Sequence, residues 1–147
     1  MMGSTTAAAT PAAFAGRYQF HHTGIIVRDL ARAAETYRAL GFPPGDAEDV
    51  PSQGVRVLVL PTAVPGQYVE LIAPTSGGHL ARYLARRGEG IHHIAFAVAD
   101  IAAELGRLQA VGVRLVDSTP RVGAHGWTVA FVHPEAAHGA LIELVQP

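Results

Sequence analysis

The sequence predicts an α+β fold in which two tandem β-α-β-β-β modules share one cupped sheet. Two repeats and the composition carry that expectation. The segment FHHTGIIVRDLARAAETYRALGF (20–42) is echoed by IHHIAFAVADIAAELGRLQAVGV (91–113). His22 thereby matches His93, Val27 matches Val98, Asp29 matches Asp100 and Gly41 matches Gly112, all at a spacing of 71 residues. LPTAVPGQYVELIAP (60–74) then returns as HPEAAHGALIELVQP (133–147), with Glu70 matching Glu143 at a spacing of 73. A unit of this length, used twice, is no solenoid and makes a pseudo-twofold pair around a common core. The composition agrees: 147 residues, 49% hydrophobic and 16% charged, suffice for one globular domain without disulfides or a structural metal.

The elements follow in order. Residues 1–16 are small, uncharged and without period, and read as a disordered extension; 17–147 read as a single domain. Module 1 runs from about 18 to 75 and module 2 from about 90 to 147. Each opens with an apolar strand, 19–27 or 91–98, and then an aspartate, Asp29 or Asp100, placed to cap a helix. Helical spacing follows, through Leu30, Ala33, Ala34 and Tyr37 in one copy and Ile101, Leu105 and Leu108 in the other. Gly41 and Gly112 stand where helix ends need a left-handed residue. Three apolar runs per module predict strands near 47–49, 54–60 and 67–72, and near 114–117, 127–133 and 140–145. A short helix over 79–87 bridges the copies and stops at Gly88.

Composition also excludes chemistry. The chain has no Cys, no Lys and no Asn, and all 11 basic residues are arginine. Thiolate nucleophiles, Schiff-base lysines, P-loop lysines and N-glycosylation are therefore out. A formal charge of −1 leaves no electrostatic footprint for nucleic acid or an anionic membrane, and no run of about 18 apolar residues spans a bilayer. Cytoplasm is the expected location. What remains for chemistry is 8 His, 12 carboxylates and a few hydroxyls.

Four polar residues interrupt otherwise apolar strands in phase with the duplication: His22, Glu70, His93 and Glu143. A lone strand histidine or glutamate is usually a packed or solvent-facing residue. Burying a carboxylate in a sheet is costly unless it is paired, protonated or metal-bound, so the repeat of both types points to a divalent metal site. Strand alternation puts Gly24 and Ile26 beside His22, and Ala95 and Ala97 beside His93, a small-lined face that can hollow into a cavity. By the same period, His21 and His92 fall on the opposite face and read as structural. Arg82, Arg86 and Arg87 read as a solvated helix face, with contact to ligand phosphates as the alternative. His125, in the loop 121–127, lines the mouth of a cavity or serves a glycine-flanked turn.

The segments GEGIHHIAFAVADI (88–101), PRVGAHGWTVAFVHP (120–134), GALIELVQP (139–147), HTGIIVRDL (22–30), DVPSQGVRV (49–57) and VELIAPT (69–75) resemble the vicinal oxygen chelate superfamily, and within it the methylmalonyl-CoA epimerases. The resemblance implies that His22, Glu70, His93 and Glu143 are ligands to a divalent ion (Co, Mn, Ni, Zn or Fe). It implies an acyl-CoA substrate, a homodimer, Glu143 and Glu70 as acid–base residues, and His125 and Gln53 as substrate contacts. The expected reaction exchanges the C2 proton of methylmalonyl-CoA, or a close 2-alkylmalonyl-CoA, through a metal-stabilised enolate. Three departures stand out. Val57 occupies a position where some epimerases of the family carry a glutamate, and Glu70 one where they carry a glutamine. The bridging helix opens with Gly77, Gly78 and His79 instead of Asp-Ser. A glyoxalase I-type lyase, a ring-cleaving oxygenase and a metal-free small-molecule-binding protein are the other readings of this scaffold.

Overall fold

The computed structural model describes residues 17–147; the extension expected over 1–16 lies outside the described residues. Strand β1 (Gln19–Ile26) runs into helix α1 (Leu30–Leu40), and the Asp29 carboxylate accepts the Arg32 amide at 3.1 Å, closing the helix start as expected. Gly41 ends α1 at φ 110°, a conformation costly for any residue with a Cβ. Strands β2 (Ala47–Val50), β3 (Val55–Pro61) and β4 (Tyr68–Pro74) complete the first module. Helix α2 (His79–Arg87) bridges to β5 (Gly90–Ala97), and α3 (Ile101–Ala110) starts on the Asp100 carboxylate, which accepts the Ala103 amide at 3.0 Å. β6 (Arg121–Val122), β7 (Thr128–Val132) and β8 (Ile142–Gln146) follow.

All eight strands form one curled mixed sheet in the order β2-β3-β4-β1-β5-β8-β7-β6. The modules meet along β1 and β5, which pair antiparallel, while β1–β4 and β5–β8 are the parallel neighbours. Alternation sorts the side chains cleanly. On the outer face Leu58, Leu60 and Leu71 pack under α1, and Leu144, Ala130 and Val132 pack under α3. On the inner face Ile26, Val55, Val57, Val59 and Ile72 pack against Leu80 of α2, and Ala95, Val129 and Val145 against Trp127. Each fully buried branched side chain contributes about 1.5–3 kcal/mol. Among the polar ties that cross the modules, the Tyr18 hydroxyl donates to Glu104 at 2.6 Å, and Arg107 holds the same carboxylate from the next turn of α3.

The strand expected over 114–117 is replaced by a single bridge between Leu115 and Val132. The Val116 and Asp117 amides both donate to the one carbonyl of Phe131, and the Asp117 side chain takes the Phe131 amide at 2.9 Å. A side chain thus fills the place of the next ladder bond, so regular pairing stops there. Among the described residues no helix is long and apolar enough to cross a membrane.

Candidate metal centre

The four middle strands of the sheet, β4, β1, β5 and β8, each supply one polar side chain to the inner face: Glu70, His22, His93 and Glu143. All four are buried, with 1–5% of their surface exposed. One donor atom from each lies within 4.8 Å of every other. His22 Nε2 stands 2.7 Å from Glu70 and 3.0 Å from His93 Nε2, and His93 Nε2 stands 3.2 Å from Glu143. The carboxylates therefore flank the imidazole pair from opposite sides.

Room for this cluster comes from Gly24. It pairs with His93 across the ladder, and a Cβ there would lie 2.1 Å from the His93 ring. The imidazole occupies the volume that any side chain at Gly24 would need.

The face assigned to His21 and His92 from strand period is overturned. The β1–β5 register skips His21, between Phe20 and His22, and also His92, between Ile91 and His93. Each is the extra residue of a β-bulge, which returns it to the side of its neighbour. His21 is buried edge-on against Trp127, with ring centres 4.5 Å apart, and His92 lines the same cavity as His93. Their Nδ1 atoms stand 2.7 Å from His22 Nδ1 and 3.0 Å from His93 Nδ1. Burial, then the neighbouring imidazole, lowers both His21 and His92 to about 4, so both are neutral near pH 7. A neutral imidazole can give or take one proton at Nδ1. It can thus accept from a ligand histidine whose Nε2 lone pair faces the site, or donate to one whose Nε2–H faces a carboxylate.

The donor set fits a divalent ion. When both ligand histidines carry their protons on Nδ1, two Nε2 lone pairs oppose each other at 3.0 Å beside two carboxylates. A divalent cation between them would relieve that opposition and neutralise the carboxylates at once, where otherwise a proton on Nε2 must bridge to Glu70. Two ligands at right angles, each about 2.1 Å from an ion, are about 3.0 Å apart, as these nitrogens are. Mixed imidazole and carboxylate donors suit several divalent transition metals. The carboxyls are not equivalent. Burial drives Glu143 well above its ordinary range, and the charge of Glu70 adds to that. Burial also opposes the charge on Glu70, but hydrogen bonds from His22 and His93 outweigh it and hold Glu70 below the usual range.

A cavity of about 650 Å³ reaches the cluster at His93 and is lined also by His92, Gln53, His79, Arg121 and Phe131 among others. Gln53, a candidate contact from sequence, lies on that wall, and Arg87 joins it instead of facing only solvent. His125 is not among the lining residues. It sits at φ 54°, its amide donates to Glu48 at 2.6 Å, and its ring stacks on Trp127, which stacks in turn on His22. Val57 is completely buried among Val55, Val59 and Ile72, so no acid reaches the site from that position. Arg121 and Phe131 were missed from sequence because neither interrupts a repeat. The doubled His-His in both copies was the visible sign of His21 and His92.

The sequence profile of the glyoxalase/bleomycin resistance protein/dioxygenase superfamily matches residues 21–131. The chain belongs to that superfamily. Within it, the chain is 39% identical over 132 residues to an ethylmalonyl-CoA/methylmalonyl-CoA epimerase of Cereibacter sphaeroides, covering 87% of this chain and 97% of that protein. It is 32% identical to the mitochondrial methylmalonyl-CoA epimerase of Homo sapiens, over 87% of this chain and 73% of that one. Among solved superfamily structures, a methylmalonyl-CoA epimerase in complex with methylmalonyl-CoA and NH4+ superimposes with a TM-score of 0.82 at 38% identity, covering 89% of this chain and 95% of that chain. The Mycobacterium tuberculosis methylmalonyl-CoA epimerase gives the same score and identity, over 87% of each chain.

Proposed function

We propose that this chain is a metal-dependent isomerase that interconverts the C2 epimers of methylmalonyl-CoA or a close 2-alkylmalonyl-CoA. The observation that carries the reading is the buried His22–Glu70–His93–Glu143 cluster beside a cavity of about 650 Å³ that reaches His93, in a chain akin to epimerases over most of its length. His22, Glu70, His93 and Glu143 would hold the ion. When bound, it supplies Lewis-acid stabilisation for the negative charge that develops on the thioester oxygen.

The residues do the rest. Inverting C2 requires removing a proton from one face and returning one to the other, so two groups must flank the carbon. Glu70 and Glu143 come from the strands on opposite sides of the imidazole pair. Glu143 and Glu70 would be the groups that take and return that proton, Glu143 foremost. Burial of the cluster excludes bulk water, which keeps an enolate from being quenched at random. His21 and His92 fix the orientation of the two imidazoles from behind.

The test is deuterium uptake at C2 of methylmalonyl-CoA in D2O, with added cobalt or with EDTA. Fast exchange that requires the metal is the expected result. Glu143→Gln should abolish exchange while cobalt still binds. Absence of exchange in wild-type protein with cobalt demonstrably bound would overturn the epimerase and direct the search to hemithioacetals, the substrates of a glyoxalase-type lyase on the same four donors.

A further inference from the structure

We propose that Arg121 is the receptor for the free carboxylate of the substrate, the group that separates a malonyl-type thioester from a simple acyl thioester. The proposal takes its substrate class from the epimerase reading and adds the residue that selects it.

Arg121 opens the two-residue strand β6 at the edge of the sheet and lines the cavity that reaches the metal centre at His93. Its guanidinium lies over Phe131, 5.7 Å from the ring centre, and His93 meets the same ring edge-on at 5.6 Å. One aromatic wall therefore carries both a ligand of the metal centre and a permanent cation. Phe131 in turn sits directly across the ladder from Glu143.

The guanidinium is incompletely satisfied. Its Nε is buried and has no hydrogen-bond partner. Its nearest anion is Asp117, 3.6 Å from Nη2, which is beyond hydrogen-bond length. The same Asp117 oxygen is already engaged by the Phe131 amide. A buried donor without an acceptor is costly, and it is rarely kept beside a cavity unless a ligand completes it. Arginine presents a planar fork that suits a carboxylate.

Arg87 and Arg121 are the permanent cations lining the cavity. Arg87 lies over Tyr83 at the end of α2, whereas Arg121 shares the wall of His93. A phosphate of the CoA tail is the other oxyanion of matching chemistry, and the experiment separates the two.

Calorimetric titration of cobalt-loaded wild-type, Arg121→Met and Arg121→Lys protein would compare malonyl-CoA, propionyl-CoA and propionyl-pantetheine. The first pair differ by the carboxylate and the second pair by the nucleotide phosphates. The expected result is a malonyl-CoA preference over propionyl-CoA that falls by roughly 10- to 100-fold in Arg121→Met, with propionyl-CoA affinity held within twofold and Arg121→Lys between the two. Because a ratio is read, general loosening of the fold would not reproduce it. An unchanged ratio in Arg121→Met overturns the proposal. So does a loss confined to propionyl-CoA and absent from propionyl-pantetheine, which assigns Arg121 to phosphate. C2 deuterium uptake by the wild type, run in parallel, reports on the epimerase reading separately. An Arg121-dependent carboxylate preference without exchange would uphold the receptor and remove only the epimerisation.

Discussion

Gly24→Ala tests how the metal centre is made. A Cβ on residue 24 would lie 2.1 Å from Cε1 of His93 and 2.6 Å from its Nε2, where ordinary contact begins near 3.4 Å. The ring must therefore withdraw by about 1.3 Å, since Gly24 and His93 are ladder partners and their backbones are tied. A metal–nitrogen bond tolerates a deviation of about 0.2 Å, several times less. His93 is then lost as a ligand, or the ion moves away from His22. Disturbing only the partners behind a ligand costs about 10- to 100-fold in metal affinity, so displacing the ligand itself should cost about 100-fold or more. Cobalt affinity, measured by calorimetric titration of EDTA-stripped protein, should fall by at least that factor. Stability of the metal-free fold should drop by about 1–3 kcal/mol, the usual effect of one overpacked methyl. Ala95→Gly, at the matching position of the second module, adds space instead and should leave cobalt affinity nearly unchanged. A Gly24→Ala protein that binds cobalt within threefold of wild type would refute this account of the cluster.

Three further outcomes follow from the structure. His21→Phe and His92→Phe remove the imidazoles behind His22 and His93, and each should weaken cobalt binding about 10- to 100-fold while His21→Asn recovers part of the loss, as read by cobalt titration. Asp29→Ala and Asp100→Ala each delete a helix cap and should each cost about 1 kcal/mol in urea denaturation, with additive effects in the double variant. The hydrogen bond from Arg107, assisted by Tyr18, holds the Glu104 carboxyl below its ordinary range against the opposing effect of burial. Its contribution is therefore fully present above the unfolded pKa, about 4.3, and is lost as pH falls through the lower folded value. Glu104→Gln should destabilise clearly at pH 7 and progressively less toward pH 3, and an equal effect at both would contradict the assignment.

The sequence made most of this architecture legible because the duplication repeats what matters. Asp29 and Asp100 announce the helix starts, Gly88 the end of the bridging helix, and His22, Glu70, His93 and Glu143 the donors, since each polar residue recurs in an apolar strand. Period-two reasoning failed at His21 and His92, because a bulge inserts one residue and nothing local in the sequence marks a bulge. It failed again over 114–117, where the Asp117 side chain, not the hydrophobic pattern, decides the pairing. Arg121 was invisible for another reason: its importance lies in what it lacks, a partner for Nε, and that is a property of packing in three dimensions.

Each module contributes one imidazole and one carboxylate, so two identical, unlinked modules facing each other across a twofold axis would present the same four donors. In such a pair symmetry would force the two carboxyls to share identical surroundings and identical proton affinity. The covalent join along one chain lifts that constraint. His22 Nε2 lies nearest Glu70, at 2.7 Å, and His93 Nε2 nearest Glu143, at 3.2 Å, so each imidazole favours the carboxylate of its own module, the first more closely than the second. The two halves of the pocket therefore keep one plan with unequal contacts, and a substitution on one side need not be mirrored on the other.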